Sequence, residues 1–593
     1  MKNFLFLILT LLSMSSCKPK QKPIEPIAKI ERAWWKEGIV YQIYPRSFKD
    51  TDGDGVGDLR GIIQKLDYIK SLGVNIIWLN PIYDSPNNDN GYDISDYEKI
   101  MKEFGTMADF DEMLKGLHDR NIKLVMDLVV NHSSDEHEWF KQSRSSRDNK
   151  YRNFYHWWPA ENGKPPHRMS FFDENGEAWR FDTTTNAYYL HYFSRKQPDL
   201  NWENQDTRDS IYKMMDSWFK KGVDGFRMDV IPFISKDTTW PILSEQELTA
   251  KYNNDSWAKY YADGPNLHHY LKEMNKRVLS KYDVVALGEG AGVTINQALD
   301  FVAQDRNELD LFFHFEGQAL GLSSQGYKRL NPKGWTLKEF KEVYSKWSDV
   351  FSEKGWGSIY LGNHDQPRMV SRWGNDSPEF RVPSSKMLHT FLLSMRATPF
   401  IYHGDEIGMT NLKLDTITDY RDIETLNWYA FLSKGGADMK PYMEDWKITA
   451  RDNGRSPFQW NDSKNGGFTT GIPWLKVNDN YTKINEAAQE DDPNSILNYF
   501  RKMVKLRKDN LAFVYGTYQL VQPEHSQIYA YTRSLGKDSF LVLLNFSSKE
   551  ASINLAEDMH TDKIMIDNYD SIKQEGNTLI LKPYQAIIYS LKL

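Results

Sequence analysis

The chain has 593 residues, 40% apolar and 26% charged, with a net charge of −7 at pH 7. That length exceeds one small core, the composition excludes a disordered chain, and the mild acidity leaves no footprint for nucleic acid. Aromatic residues reach 14%, with 19 Trp, 33 Tyr and 30 Phe; most are expected in the core, but flat rings also stack on apolar sugar faces and favour a carbohydrate partner.

The single cysteine, Cys17, follows Lys2 and an apolar run from Phe4 to Leu12. That run is too short to span a bilayer and reads as the apolar part of a secretory signal over residues 1–16. Its placement resembles a bacterial lipoprotein signal. This implies cleavage before Cys17, lipidation of Cys17, and an exported protein held at a membrane by its lipid anchor alone, in the periplasm or at the cell surface of a bacterium. An ordinary signal peptide with an incidental cysteine is the alternative. No disulfide can hold the fold, and no later stretch approaches the roughly 20 apolar residues of a membrane helix. Residues 17–31, with KPKQKPIEP at 18–26, read as an extended tether.

Eight buried-strand runs follow: Ile39–Tyr44, Asn75–Leu79, Lys123–Val130, Gly225–Val230, Val284–Gly288, Leu311–Phe315, Gly357–Leu361 and Thr398–Tyr402. Stretches of helical period lie between them, such as Ile62–Leu72, Phe110–Asn121, Ile211–Lys221 and Leu337–Trp347. Eight alternations predict an α/β fold, a (β/α)8 TIM barrel over residues 32–132 and 199–510. No G-x-G-x-x-G follows the first run, which counts against a doubly wound sheet. Residues 133–198 are aromatic and polar with little helical period, and read as a subdomain inserted after the third strand. A long polar stretch runs to about Asp492, then a helix near Ser495–Lys508. Residues 511–593 hold the short alternating runs Gln527–Tyr531, Ser539–Asn545, Ser552–Leu555, Lys563–Ile566, Thr578–Leu581 and Ala586–Leu591, which predict an antiparallel β-sandwich.

Active sites of such barrels lie at the C-terminal ends of the strands. There the third run meets Asn131 and His132, the fourth carries Arg227 and Asp229, the fifth ends in Glu289, and the seventh in Asn363-His364-Asp365. Arg227 and Asp229 are two apart on a strand and share a face, so the guanidinium favours an ionised Asp229. Glu289, from the next strand, is expected to keep its proton through burial and the like charge of Asp229. One ionised and one protonated carboxyl meet the requirement for retaining glycoside hydrolysis. Single acids or histidines at strand ends are commonly structural; the combination at one rim is not.

The motifs DLVVNH (127–132), GFRMDV (225–230), GE (288–289) and GNHD (362–365) resemble, in order, the four signatures of the α-amylase superfamily. The resemblance implies Asp229 as nucleophile, Glu289 as general acid/base and Asp365 as transition-state stabiliser, with His132, Arg227 and His364 on the sugar. Gln197-Pro198-Asp199-Leu200-Asn201 is similar to a signature of the oligo-1,6-glucosidase/α-glucosidase subgroup. The stretches 90–93 and 451–455 are also similar to that subgroup, which implies a clamp of Asp93 and Arg455 on a terminal glucose, with Phe193 and Gln197 lining the pocket. Val230, after the nucleophile, accompanies α-1,6 rather than α-1,4 cleavage in this subgroup. The glycines around the acid, Gly288, Gly290 and Gly292, leave the neighbouring contacts open.

Asp50, Asp52, Asp54 and Asp58 alternate with glycines in an oxygen-rich loop that suits a structural Ca²⁺ (or Mg²⁺). An EF-hand would need Glu where Gly61 stands. The run resembles the subgroup's short metal loop, which implies the Val56 carbonyl as a further ligand; a solvated acidic turn is the alternative. The expected function is an exo-acting retaining α-glucosidase that releases glucose from small oligosaccharides, α-1,6-linked. Alternatives are an α-1,4-preferring enzyme, or a glucosyltransferase or isomerase such as a trehalose synthase or sucrose isomerase. Isomerases of this group carry a charged Arg/Asp loop after the seventh strand, which residues 368–372 do not match. A non-catalytic sugar-binding relative is disfavoured by the three carboxylates.

Overall fold

All eight runs become parallel strands of one sheet: β1 (Val40–Ile43), β2 (Ile76–Leu79), β3 (Lys123–Leu128), β4 (Gly225–Met228), β5 (Val285–Glu289), β6 (Leu311–Phe313), β7 (Ser358–Ile359) and β8 (Thr398–Tyr402). The computed structural model describes residues 30–592 except 243, 245, 248–260, 325, 558, 570 and 571. Cys17 and the expected signal and tether segment 1–29 lie outside the described residues. The order around the sheet is β6-β5-β4-β3-β2-β1-β8-β7, so each strand lies beside its neighbour in sequence. Between β6 and β7 the ring is drawn together by Ser358 Oγ donating to the Phe312 carbonyl at 2.9 Å. Strands β1, β2, β4 and β5 are buried throughout, as expected where helices cover the outside and side chains fill the inside. Val40, Ile76, Val125, Val285, Leu311 and Phe400 make the inner plug.

The helices follow their caps. Thr106 and Asp109 form a capping box that starts Met107–Asp119 three residues before its periodic run. Asn204 caps Gln205–Lys221, and Gly222 at φ 108° ends it. Leu337–Val350 begins at the Thr336/Glu339 box. The single helix expected over Ile62–Leu72 is instead two, Leu59–Gln64 and Leu66–Ser71, because Lys65 (φ −107°, ψ 11°) leaves the helical region.

The insertion after β3 holds helix Glu138–Ser145 and an antiparallel sheet of Trp157–Pro159, Ala187–Leu190 and Trp179–Asp182. It is stitched to the barrel by bridges His132–Asp199 and Tyr155–Leu200. Buried Lys236, just past β4, pairs with Asp199 at 2.9 Å and donates to Asn131 Oδ1 at 2.7 Å, tying both ends of the insertion together. Beyond β8, the stretch read as polar holds helices Ile423–Lys434 and Met439–Thr449 around Leu412, Tyr420 and Trp446. Helix Ile496–Asp509 stands where the sequence placed it. The C-terminal region is two antiparallel sheets, of five and three strands, enclosing Ile528, Leu541, Leu543, Ile553, Leu579 and Leu581. Strands Thr517–Val521 and Lys573–Glu575 join the six expected ones. No helix among the described residues is long and apolar enough to cross a membrane.

Candidate active site

Asp229 leaves β4, Glu289 ends β5, and Asp365 follows β7, so three carboxyls reach one rim of the barrel. Arg227, one strand position inside, is fully buried and bridges the first two. Its Nη1 lies 2.6 Å from Asp229 Oδ1 and its Nη2 2.6 Å from Glu289 Oε1. One guanidinium thus brings the two carboxyls to a single side chain at the rim. The same Nη1 meets Asp127 Oδ1 at 2.7 Å, and Asp127 Oδ2 accepts from Trp78 Nε1 at 2.9 Å. Asp127 is thus the buried counter-charge that holds Arg227.

Of the two acids, the sequence sets Arg227 beside Asp229. The structure shares it with Glu289, and the Val230 N–H also donates to Glu289 Oε2 at 2.9 Å. Burial pushes both carboxyls up to about 7, against Arg227; the charge of Asp127 adds to the rise of Asp229, and that of Asp229 to the rise of Glu289. The two acids therefore behave as a pair that holds one proton near neutrality. Val230 sits at φ 35°, ψ 42°, left-handed backbone that a β-branched residue adopts only at a cost of about 1–3 kcal/mol. That conformation delivers its N–H to Glu289. Gly290 is needed for space: a Cβ there would meet Phe312 Cζ at 1.9 Å.

Asp365 Oδ1 accepts from Arg451 Nη1 at 3.0 Å and Arg455 Nη2 at 2.9 Å, and its Oδ2 lies 3.1 Å from His364 Nε2. Burial opposes its ionisation, but His364, Arg451, Arg455 and Arg227 outweigh burial and hold it well below the usual carboxylate range. Burial lowers His364 itself to about 3, so the ring is neutral. Its faces stack on Tyr92 and Tyr44. Fully buried Asp422, which the sequence reading passed over, meets Arg451 Nη2 at 2.6 Å and Arg455 Nη1 at 3.3 Å and sets both guanidiniums.

The opposite wall is His132, Phe193 and Gln197, which do come together. Gln197 Nε2 lies 3.2 Å from His132 Nε2, and the rings of His132 and Phe193 are 5.0 Å apart. Here the structure corrects the expected clamp. The Asp93 carboxyl is fully buried and accepts from the backbone N–H of Asn88 (2.8 Å), that of Asp89 (2.9 Å) and from Ser85 Oγ (3.0 Å). These donors engage it in closing its own loop. Asp89, four residues earlier, takes the place at the wall. Its Oδ2 accepts from Gln197 Nε2 at 3.0 Å, while Oδ1 is buried without a hydrogen-bond partner and faces Arg451 Nη2 at 3.5 Å. Burial raises Asp89 to about 7. Arg455 is 1% exposed and holds the His364 carbonyl at 2.9 Å besides Asp365, so it stands behind Arg451. Within the same motif stretches the geometry favours Asp89 and Arg451 over Asp93 and Arg455; an unsatisfied buried oxygen is the signal that distinguishes Asp89, and no sequence pattern carries it.

Ligand atoms of Asp50, Asp52 and Asp58 lie within 4.8 Å of one another. Asp54 is outside that group; its Oδ1 accepts from the Val56 N–H at 2.8 Å. Asp50 accepts from the N–H groups of Asp52, Gly53 and Gly55, and Asp58 caps the helix that follows. Gly55, at φ 94°, packs where a Cβ would strike the Ile472 carbonyl. Three carboxylates with oxygen donors alone fit a hard cation.

A model of the α-amylase catalytic domain matches residues 42–516, and one of the α-amylase SusG C-terminal domain matches 528–588. An oligo-1,6-glucosidase from Parageobacillus thermoglucosidasius is 51% identical, covering 95% of this chain and 100% of its own. One from Bacillus cereus is 49% identical over 95% and 100%. The isomaltulose synthase SmuA from Protaminobacter rubrum superposes with a TM-score of 0.91 at 45% identity, over 95% of this chain and 100% of that one. With most of the chain inside the catalytic-domain match and its signature residues at one rim, the protein belongs to the α-amylase family of glycoside hydrolases.

Proposed function

We propose that the protein is an exo-acting, retaining α-glucosidase of the oligo-1,6 type, releasing glucose from isomalto-oligosaccharides and α-limit dextrins. The bridge of Asp229 and Glu289 by one guanidinium carries this reading, because it gathers on one side chain the two carboxyls that double displacement needs. Asp229 attacks the anomeric carbon while Glu289 protonates the departing oxygen. Glu289 then takes a proton from water, which attacks the same carbon and releases α-glucose with its configuration retained. Asp365, kept ionised by Arg451 and Arg455, faces the positive charge of the transition state. His132, Arg227 and His364 contact the sugar at the cleavage point. Asp89 and Arg451 close the pocket on the hydroxyls of a terminal glucose, with Phe193 and Gln197 as walls, which makes the attack exo. Val230, against the nucleophile, favours the α-1,6 geometry.

The isomerase reading lacks its loop. Arg368 donates to the His403 and Ser456 carbonyls and Arg372 to the Leu320 carbonyl, so both cations are engaged away from the rim. Asp50, Asp52 and Asp58 would hold a structural Ca²⁺ (or Mg²⁺), with Asp54 and the Val56 carbonyl completing the loop. It would neutralise the acidic turn after β1 and take no part in the chemistry. Export and anchoring through Cys17 rest on the signal pattern alone. The test is a product assay on isomaltose, panose, maltose, trehalose and sucrose. Glucose from isomaltose and panose, with little from maltose, is expected. Preferential release from maltose would overturn the linkage, and new disaccharides at constant total sugar would overturn hydrolysis.

A further inference from the structure

His364 can place its one ring proton on either nitrogen, and the two choices act oppositely on Asp365. With the proton on Nε2 the ring donates to the Tyr92 hydroxyl at 2.7 Å and turns the same N–H edge to Asp365 Oδ2, 3.1 Å away. With it on Nδ1, an imidazole lone pair would face a carboxylate. We infer that Gln42 and Asn80 are positioning residues that fix His364 with its proton on Nε2 and so turn an N–H edge, rather than a lone pair, to Asp365. The inference rests on the catalytic reading of Asp365 given above.

The argument is a chain of hydrogen-bond polarity inside the barrel. Asp127 is anchored by Arg227 and by the indole N–H of Trp78, which can only donate, so its Oδ2 is an acceptor. One end of the Asn80 amide lies 3.3 Å from that oxygen and 2.8 Å from the Tyr92 hydroxyl. That end must be the NH₂, since a carbonyl oxygen there would face a carboxylate oxygen. The Asn80 Oδ1 is then the acceptor on the other side, 2.8 Å from Gln42 Nε2. Gln42 must present its own NH₂ to meet it, and the same nitrogen lies 2.9 Å from His364 Nδ1. An amide N–H directed at Nδ1 requires a lone pair there, which leaves the proton on Nε2. The Tyr92 hydroxyl, 2.7 Å from Nε2, has an outlet for its own proton at Asp127 Oδ2, 3.3 Å away.

Each link is buried: Gln42 and Asn80 are each 1% exposed and His364 is not exposed at all. Reversing any one amide would leave donor against donor or acceptor against acceptor out of reach of water. The charged groups facing His364 are Asp365, Arg227, Arg451 and Arg455, and the rings of Tyr44 and Tyr92 lie nearly parallel to it. Burial and the three guanidiniums disfavour an imidazolium, so the neutral tautomer is the state that matters.

The test is ¹⁵N NMR of the full enzyme labelled at histidine, with the His364 signals identified by their loss in His364→Gln. The wild type is expected to show a protonated Nε2 and an unprotonated Nδ1 across neutral pH. Gln42→Glu, which places an acceptor opposite Nδ1, is expected to move a proton there. It should lower kcat/KM on an aryl α-glucoside about 10²-fold. It should also add an ionisation of His364 to the pH profile that the wild type lacks. Gln42→Met, similar in volume but without polarity, should cost less than Gln42→Glu. A wild-type signal with the proton on Nδ1 overturns the inference even if every variant fails to fold, as does a Gln42→Glu enzyme with unchanged tautomer. Loss of the catalytic reading itself would appear separately, as a wild type that cleaves no α-glucoside while its tautomer stands.

Discussion

Asp89 and Asp93 lie in one loop and carry the same charge, yet their carboxyls do opposite things. Three donors, two of them backbone N–H groups, engage Asp93, whereas Asp89 keeps an oxygen without a hydrogen bond beside Arg451. Asp89→Ala is therefore expected to lower kcat/KM on isomaltose about 10²–10³-fold, with Tm little changed. Asp93→Ala leaves two buried N–H groups unsatisfied and should cost about 2–4 kcal/mol of stability, seen in a thermal scan. The reverse pattern would return the clamp to Asp93. The acid pair sets the pH profile. Asp229 and Glu289 are both raised to about 7 by burial and share Arg227, so one proton resides between them near neutrality. As pH rises through about 7 that proton leaves and the general acid is lost, so kcat/KM should fall on the alkaline side. Glu289→Gln, measured with a substrate whose leaving group needs no protonation, should abolish that limb; an unchanged limb would place the acid elsewhere.

At the scale of elements, legibility followed burial. The eight barrel strands were readable because each is a continuous apolar run buried on both faces, and only their ends moved by a residue or two. Of the two further sandwich strands, Lys573–Glu575 is exposed and carries no apolar residue, whereas Thr517–Val521 is half-buried but too short and too little buried to stand out. Helices Ile423–Lys434 and Met439–Thr449 escaped for another reason: each has few fully buried residues, and they are held through rings such as Trp428 on Tyr327, so no apolar stripe marks them. The acidic loop after β1 was legible as a cluster of oxygen donors from residue types alone, but the separation of Asp54 from the other three depends on backbone turns that spacing does not give. Chelation is expected to lower Tm by about 3 °C or more while leaving KM on isomaltose unchanged, and added Ca²⁺ should restore it. A Tm indifferent to both would make the loop a solvated turn already satisfied by its own N–H groups.

Across the whole molecule, barrel and sandwich are joined by two buried guanidiniums that have carbonyls rather than carboxylates for partners. Arg507 donates to the carbonyls of Leu393 (3.1 Å), Met395 (2.9 Å) and Ala397 (2.5 Å), which lead into β8, and to that of Phe513 (2.9 Å). Arg533, on a sandwich strand, also donates to Phe513 (3.0 Å), to Gly516 (2.9 Å) and back to Ser394 in the barrel. Burial lowers Arg507 to about 9, still protonated at neutral pH. The Phe513 carbonyl receives both cations, so neither region can release the segment between them without stripping donors from the other. The two regions should therefore unfold in one calorimetric transition. Arg507→Met keeps the apolar stem but leaves four buried carbonyls without these donors; it should cost about 3 kcal/mol or more and shift that single transition down by several °C, with kcat per folded molecule unchanged. If the sandwich instead melts in its own transition below an active barrel, the guanidiniums are local caps and the regions are thermodynamically separate, because cooperativity across the boundary requires that the shared donors be lost together.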